Sequence, residues 1–333
     1  MSASAESRHP AAPNRPRRSP AGEPGPTIPE APHLKVLLKA PLSLHTTWRV
    51  GGPAEVLVRA PTVADLRAAV AWGVARGLPV TVLGGGSNLL VGDGGIRGLV
   101  ILARTPGERA EGLVAAEDLG EAVRLRIAAQ APLSWTGRYA AERGWSGLDW
   151  GVGLPGTIGG ATVNNAGAHG TEQKDHLDRV VVLNNATGDV ERRPAAWLEA
   201  AYRHTILKVT PHPRPWTVVE VELVLPKGDS VALVPLADEH ADFRKQTQPT
   251  GACGGSTFAN PPGDFAGRLL EAAGMKGYRV GGAAFSSKHS NWIVNDQHAT
   301  AADIRELIAT ARERIRAEFG IELRQEVEEI GER

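Results

Sequence analysis

Hydrophobic residues recur along this chain with two spacings, and each spacing predicts a different kind of secondary structure. Between residues 62 and 79 they recur at the spacing of one face of a helix. Thr62 is a capping residue with Asp65 three places on, and Gly77 and Pro79 end the run. The pattern therefore predicts a helix whose apolar face comprises Leu66, Ala69, Val70 and Val74.

A longer amphipathic helix is predicted near the C-terminus. Thr300 and Asp303 repeat the capping pattern there, at the start of a segment in which apolar residues recur with the period of a helix. The apolar face comprises Ile304, Leu307, Ile308, Ala311 and Ile315. Further helices are predicted over residues 133–143, around residues 235–245, and over residues 264–274.

Other segments read as strands. In residues 123–130 polar and apolar side chains alternate, which predicts a strand with Val123, Leu125 and Ile127 facing inward. Short apolar runs predict further strands at residues 56–58, before residue 84, at 216–226 and at 292–295, with a hairpin over 180–190 and an edge strand over 321–330. This order predicts an α+β fold, with two subdomains in residues 33–226 and a separate α+β unit in residues 227–333.

The first 32 residues differ in composition from the rest. They are rich in Pro, Ala, Ser and Arg and have almost no large apolar side chain. Such a segment buries too little surface to offset the entropy lost on ordering, which predicts a disordered tail over residues 1–32. The alternative is a basic arm for nucleic acid, carried by Arg8, Arg15, Arg17 and Arg18.

Charge and cysteine content narrow the class of protein. Lys and Arg together number 37, as do Asp and Glu, so no net charge attracts nucleic acid or an anionic membrane, and any anionic ligand must be bound by local charge. Cys253 is the single cysteine, which excludes an internal disulfide and a multi-cysteine metal site. With no apolar run of membrane-spanning length, we expect a cytoplasmic protein that holds no metal and inserts into no membrane.

Glycines concentrate in residues 147–170, at a density that is unfavourable inside helices and strands. Turns with positive φ, or close approach of bare amides to a ligand, usually compensate for this cost. Thr157, Thr162, Asn164 and Asn165 add uncharged hydrogen-bonding groups. The segment is interpreted as a ligand-binding loop, with a tight-turn linker as the alternative.

A second group of glycines, Gly84 to Gly86, directly follows a predicted strand, where bare amides could bind a pyrophosphate or simply form a hairpin turn. It is not a P-loop, because no Lys follows. Residues 151–156 match G-x-G-x-x-G by letter, but the following residues are poor helix formers and Pro155 lacks an amide hydrogen. A Rossmann site is therefore disfavoured. Two glycine loops flanked by strands could instead close on one dinucleotide, such as a flavin.

Several stretches together resemble one enzyme family. They are GGGSNLLV, WGVGLPGTIGGATVNNAGAHG, Tyr202-Arg203-x-Thr205, GGSTFANPPGDFAGRLLEAAGMKGYRVGGAAFSSKHSNWIVN and Leu323-x-x-Glu326-Val327. In this order, between His45 and Ile330, they resemble the shorter form of the UDP-N-acetylenolpyruvoylglucosamine reductases. The resemblance implies a vanillyl-alcohol-oxidase-like (PCMH-type) FAD-binding region, NADPH as reductant, a UDP-sugar substrate of peptidoglycan synthesis, and a cytoplasmic monomer.

The resemblance also implies individual roles. The flavin-binding set comprises Gly84, Gly85, Gly86, Ser87, Asn88, Leu89, Gly156, Thr157, Ile158, Gly159, Gly160, Asn165, Ala166, Gly167 and Ala168. Ser256 matches the family's proton donor. Arg203 matches the cation that stabilises the substrate carboxylate, and Glu326 matches its polarising partner. A serine hydroxyl is a weak acid, so it can serve only beside groups that stabilise the developing charge.

Two positions depart from the family pattern. Ala259 stands where the family usually has lysine, so another basic residue must meet the substrate or nicotinamide phosphates, and Thr205 stands where serine is common. The candidates for substrate binding are Tyr202, Lys276, Lys288, His289 and Asn291. Two other functions remain open: a flavin oxidase of the same fold, and a non-catalytic protein that binds a nucleotide sugar.

Overall fold

The structure is a computed structural model that describes residues 22–106 and 110–333. Residues 1–21 of the predicted tail lie outside the described residues, but residues 22–32 are packed against the fold. Glu23–Pro24 pairs antiparallel with Val36–Pro41, and the Ile28 side chain is fully buried beneath the first sheet. The predicted tail is therefore wrong over residues 22–32, because Ile28 and Ala31 supply buried apolar surface despite the surrounding prolines.

The first sheet has five strands, in the spatial order Glu23–Pro24, Val36–Pro41, Pro53–Arg59, Ile96–Leu102 and Val80–Leu83. The last three are mutually parallel. The predicted helix is present as Val63–Val74, with a capping box between Thr62 and Asp65, and it covers one face of the sheet. The carboxyl end of Val80–Leu83 leads directly into the first glycine loop, defined here as residues 84–89.

The second sheet is antiparallel, in the order Val190–Pro194, Leu177–Asn184, Trp216–Pro226, Ala122–Ala128 and Val114–Asp118. Val123, Leu125 and Ile127 face the core as predicted. The helix Leu133–Glu142 covers this sheet, and the helix Ser230–Thr247 packs on that helix, where Ala141 and Ala237 meet. Ser230–Thr247 therefore packs on the helix that covers the second sheet, although it follows the predicted boundary at residue 226.

The sequence after Thr157 forms a helix, Ile158–Asn164, contrary to the expectation for this glycine-rich stretch. The Thr157 hydroxyl caps it by accepting from the amide of Gly160. A Cβ on Gly159 would lie 2.6 Å from the Cβ of Ala129, so this glycine allows the helix to approach the second sheet. Asn165 ends the helix in the left-handed conformation. Beyond it Gly167–Ala168 pairs with Thr171–Glu172.

The C-terminal unit is a four-stranded antiparallel sheet in the order Cys253–Ser256, Trp292–Asn295, Ala283–Phe285 and Arg279–Val280. It packs against the helices Ala266–Ala272 and Ala301–Phe319. The capping box predicted at Thr300 and Asp303 is present. The final strand, Glu328–Ile330, leaves this unit and pairs in parallel with Leu89–Val91, beside the first glycine loop.

In the described part of the chain no helix is long and apolar enough to cross a membrane.

Candidate active site

A cavity of about 710 Å³ lies where the two sheets and the C-terminal unit meet. Most of the residues predicted for the site line it. They are Gly84, Gly85, Gly86, Ser87, Asn88, Leu89, Gly156, Thr157, Gly159, Gly160, Ala166, Gly167, Ala168, Arg203, Ser256, His289 and Glu326. Segments far apart in the sequence thus share one cavity.

The first glycine loop touches the second glycine loop, defined here as residues 156–168, at the cavity wall. A Cβ on Gly85 would lie 2.5 Å from the Cα of Gly156, and a Cβ on Gly84 would lie 2.5 Å from the Thr157 hydroxyl oxygen. Gly86 has a φ of +66°, which side chains rarely adopt. Only glycine allows this approach, and it leaves main-chain amides uncovered beside the cavity. Such a cradle of bare amides fits the diphosphate of a dinucleotide cofactor.

Two members of the predicted flavin set do not reach the cavity with their side chains. Ile158 is fully buried in the core beneath the second sheet. The Asn165 amide is also buried, where it donates to the carbonyl of Ala201 and accepts from the amide of Lys174. Both side chains hold the shape of the second loop from behind.

Arg203 and Glu326 form an ion pair on the cavity wall. The Nε of Arg203 donates to Oε1 of Glu326 at 2.7 Å, and its Nη2 donates to the carbonyl of Gly167 at 2.8 Å. Both side chains are largely buried, being 19% and 14% exposed. Arg203 has a φ of +52°, fixed by paired hydrogen bonds between Ala201 and His204. The strained turn directs the guanidinium toward the cavity.

Ser256 ends the strand Cys253–Ser256 and lines the same cavity. The next residue, Thr257, accepts a hydrogen bond from the amide of Glu326 at 2.9 Å. The main chain at Ser256 is thereby tied to the main chain at Glu326. Ser256, Arg203 and Glu326, from three distant parts of the sequence, thus line one cavity.

Of the five candidates for substrate binding, only His289 lines the cavity. Burial lowers the pKa of its imidazole, which favours the neutral form. Lys276 pairs with Glu271, and the Lys288 ammonium donates to the carbonyl of Lys245. Asn291 is buried and binds both the amide and the carbonyl of Phe258. Tyr202 is 44% exposed beside Arg203 but does not line the cavity.

Sequence reasoning missed two arginines on the cavity wall. Arg244 donates to the carbonyls of Trp150 and Val152, and Arg214 pairs with Glu328. Burial lowers the pKa of both guanidiniums, but both remain charged. The only available signal was their residue type, since neither lies in a pattern that predicts which way it points.

The two departures from the family pattern have different consequences. Ala259 is buried and does not line the cavity, so the positive charge on the wall comes from arginines instead. The Thr205 hydroxyl caps the short helix Ile206–Val209 by accepting from Lys208, and it donates to the carbonyl of Val163. Threonine therefore supplies the hydroxyl contacts of a serine.

Among residues 22–106 and 110–333, no cluster of His, Cys, Asp and Glu could hold a metal.

The region that carries both glycine loops defines the class of protein. A family model described as "FAD binding domain" matches residues 54–193. The cradle of uncovered amides lies within this span. The chain is therefore an FAD-binding protein, as the loops predicted.

Further comparisons identify the family. The model for the C-terminal domain of UDP-N-acetylenolpyruvoylglucosamine reductase matches residues 247–330. The reductase of Synechococcus sp. (strain JA-3-3Ab) is 42% identical over 87% of this chain and 90% of its own, and that of Chloroflexus aggregans is 41% identical over 87% and 96%. This chain belongs to the UDP-N-acetylenolpyruvoylglucosamine reductase family.

A solved structure agrees with this assignment. The crystal structure of UDP-N-acetylenolpyruvylglucosamine reductase (MurB) from Thermus caldophilus is 34% identical, covers 90% of this chain and 99% of its own, and has a TM-score of 0.70. The predicted family, the α+β fold with an FAD-binding region, and the FAD cofactor are confirmed.

Proposed function

We propose that this chain reduces UDP-N-acetylglucosamine enolpyruvate to UDP-N-acetylmuramate with NADPH and FAD, in the synthesis of peptidoglycan precursors. Membership of the reductase family supports the reaction. The observation that carries the proposal for the site is the Arg203–Glu326 ion pair, which lines the same cavity as Ser256 and the two glycine loops.

The two glycine loops, residues 84–89 and 156–168, would hold FAD. When bound there, FAD would supply the hydride-transfer chemistry that links NADPH to the enolpyruvyl group. The amides of Gly84 to Gly86 are suited to the diphosphate, because these glycines line the cavity and carry no side chain that could cover them. The amides of Gly159 and Gly160 already donate to the Ala129 carbonyl and to the Thr157 hydroxyl, so they hold the helix in place instead. Asn88 is held from behind by Asn164, which fixes the end of the first loop.

Ser256 is the proposed proton donor. Hydride addition at the terminal methylene of the substrate leaves an enolate-like carboxylate, and its adjacent carbon then needs one proton to complete the lactyl group. The hydroxyl of Ser256 gives that proton and regains one from solvent. Arg203 stabilises the negative charge on the carboxylate, while Glu326 and the carbonyl of Gly167 fix the direction of its guanidinium.

The diphosphates of cofactor and substrate require positive charge inside the cavity. Arg214 and Arg244 supply it in our proposal, since both line the cavity. Arg214 is partly neutralised by Glu328, whereas no carboxylate pairs with Arg244 among the ion pairs of the described residues. His289 would contribute a neutral hydrogen-bonding group.

We further propose that the enzyme acts as a cytoplasmic monomer without a nucleic-acid partner. The equal numbers of acidic and basic residues support the last point. Light scattering of the purified protein at several concentrations tests the monomer, and a mass of twice 35.2 kDa would contradict it.

Absorbance spectroscopy tests the reaction. The purified protein should be yellow, lose its flavin absorbance with NADPH under anaerobic conditions, and recover it on addition of the enolpyruvyl UDP-sugar. The Ser256→Ala variant should still lose its flavin absorbance with NADPH, but it should not recover that absorbance with the substrate. If Ser256→Ala abolished both half-reactions together, Ser256 would not be the proton donor.

The same measurement separates the other functions considered from the sequence. An oxidase would recover its absorbance rapidly in air without any UDP-sugar. A non-catalytic protein would be colourless yet bind the nucleotide sugar. Either result would contradict the proposed reduction.

A further inference from the structure

Four segments of the active site meet at one hydrogen-bonded centre behind the cavity wall. The Lys208 ammonium donates to Oδ1 of Asn164 at 2.8 Å and to the carbonyl of Glu326 at 3.0 Å. The amide of Asn88 donates to the same two acceptors, at 2.8 and 3.3 Å. This four-residue centre, Asn88, Asn164, Lys208 and Glu326, joins the first glycine loop, the helix Ile158–Asn164, the short helix Ile206–Val209 and the segment just before the strand Glu328–Ile330.

Lys208 is placed there by its own short helix. Thr205 caps Ile206–Val209 and bonds to the carbonyl of Val163, which brings the helix against Ile158–Asn164. The Lys208 ammonium does not line the cavity. Burial lowers its pKa, and Arg203 and Arg324 act in the same direction, whereas Glu326 and Glu328 oppose the shift. A buried ammonium with two fixed acceptors is held in place rather than exposed for binding.

Four hydrogen bonds fix the position of Glu326. Its amide donates to Thr257, next to the proposed proton donor Ser256. Its carboxylate accepts from Arg203. Its carbonyl accepts from Lys208 and, at the longer distance, from Asn88. Of these, Lys208 supplies the only charged donor to the main chain of Glu326, and charge-assisted hydrogen bonds are the stronger ones.

We propose that Lys208 is a positioning residue for the substrate half-reaction. It fixes the main chain at Glu326, so that the Arg203–Glu326 pair at the substrate carboxylate is aligned with the Ser256 hydroxyl. This inference rests on the proposed function. The carboxylate and the hydroxyl must act on the same small group, so a small displacement of the Glu326 main chain disturbs their alignment. Cofactor binding by the glycine loops does not require that alignment.

Loss of the ammonium should leave the fold intact. Asn88 still donates to both acceptors when Lys208 is replaced, so neither acceptor is left entirely unpaired. Methionine has a similar length and fills the same volume with apolar atoms. Lys208→Met is therefore expected to loosen the centre rather than unfold the protein.

The test compares full-length, FAD-containing Lys208→Met with the wild type and with Lys227→Met. Lys227 is an exposed lysine paired with Asp118 and remote from the cavity. Anaerobic stopped-flow measures loss of flavin absorbance with NADPH and its recovery with the enolpyruvyl UDP-sugar. Hydrogen exchange measures the opening of residues 323–330.

In Lys208→Met we expect the rate at which substrate restores the flavin absorbance to fall by about 30-fold or more, because misplaced catalytic groups lower the rate of reaction. The rate at which NADPH removes the flavin absorbance should stay within about threefold of the wild-type rate. Amides in residues 323–330 should exchange faster, and Lys227→Met should match the wild type in all three measurements.

Two results would overturn the inference: an unchanged substrate half-reaction in Lys208→Met, or an equal slowing of both half-reactions. Failure of the proposed function has a different signature, because the wild-type enzyme itself would then not recover its absorbance with the UDP-sugar.

Discussion

The Arg203 guanidinium donates at 2.7 Å to the carboxylate of Glu326, a residue 123 positions away in the sequence. The same guanidinium donates to the carbonyl of Gly167, in the second glycine loop. One side chain therefore connects the proposed cofactor loop with the segment that leads into the C-terminal strand. The planar, forked geometry of arginine makes these simultaneous contacts possible, and lysine lacks it.

A double-mutant cycle should reveal this coupling. Arg203→Lys and Glu326→Gln are each expected to lower kcat for the enolpyruvyl sugar by about 100-fold or more, because both groups act on the charge that develops in the transition state. The double variant should lose much less than the product of the two single losses, since the groups act as one unit. Multiplicative losses would contradict a functional pair.

The contact between the glycine loops predicts a specific loss of cofactor. In Gly85→Ala the new methyl would lie 2.5 Å from the Cα of Gly156, so the loops must separate and the amide cradle must distort. We expect FAD affinity to fall by about tenfold or more, measured by flavin fluorescence during titration of the FAD-free protein.

Gly228→Ala is the matched control for this variant. A Cβ on Gly228 has only ordinary contacts, the nearest at 3.7 Å, and Gly228 does not line the FAD cavity. Its FAD affinity should equal that of the wild type. Equal affinity in Gly85→Ala as well would contradict the assignment of the loops to the cofactor.

Local patterns predicted much of the fold. The capping boxes at Thr62 and Thr300 and the inward set Val123, Leu125 and Ile127 are all present, because each depends on residues close together in the chain. The helix Ile158–Asn164 was not predicted. Its glycines disfavour a helix locally, and their benefit appears only when Gly159 meets Ala129, just after the strand Ala122–Ala128 of the second sheet.

In the candidate site, too, the sequence predicted only those residues that lie in recognisable motifs. Motifs indicated Ser256, Arg203, Glu326 and the two glycine loops, which line one cavity. Arg244 and Lys208 were missed, because their roles depend on carbonyls 92 and 118 residues away. No periodicity within a single segment reports such a partner.

His45 should make stability depend on pH. Burial, together with Arg59 and Arg104, lowers its pKa to about 4 from 6.5. The folded protein therefore binds a proton less readily than the unfolded chain, so stability is lost as the pH falls from 6.5 toward 4 and is constant above that range. Because His45 is buried, the loss from this group should reach about 2–3 kcal/mol.

Urea denaturation between pH 7.5 and 4.5 measures this effect. His45→Gln keeps an acceptor for Arg104, which lies 3.2 Å from the imidazole, but cannot titrate. The stability difference between wild type and variant should therefore shift with pH in favour of the variant as the pH falls. A difference that does not change with pH would contradict the assignment to His45.

The last prediction concerns Arg244, which is 5% exposed and binds the carbonyls of Trp150 and Val152 at 2.5 and 2.6 Å. Arg244→Met would leave both carbonyls without this donor and release the turn that precedes the second glycine loop. We expect a loss of about 2–4 kcal/mol in the free energy of unfolding, measured by urea denaturation. Arg312→Met removes an exposed ion pair with Glu322 and should cost less than about 1 kcal/mol. Equal losses in the two variants would mean that Arg244 does not hold the turn.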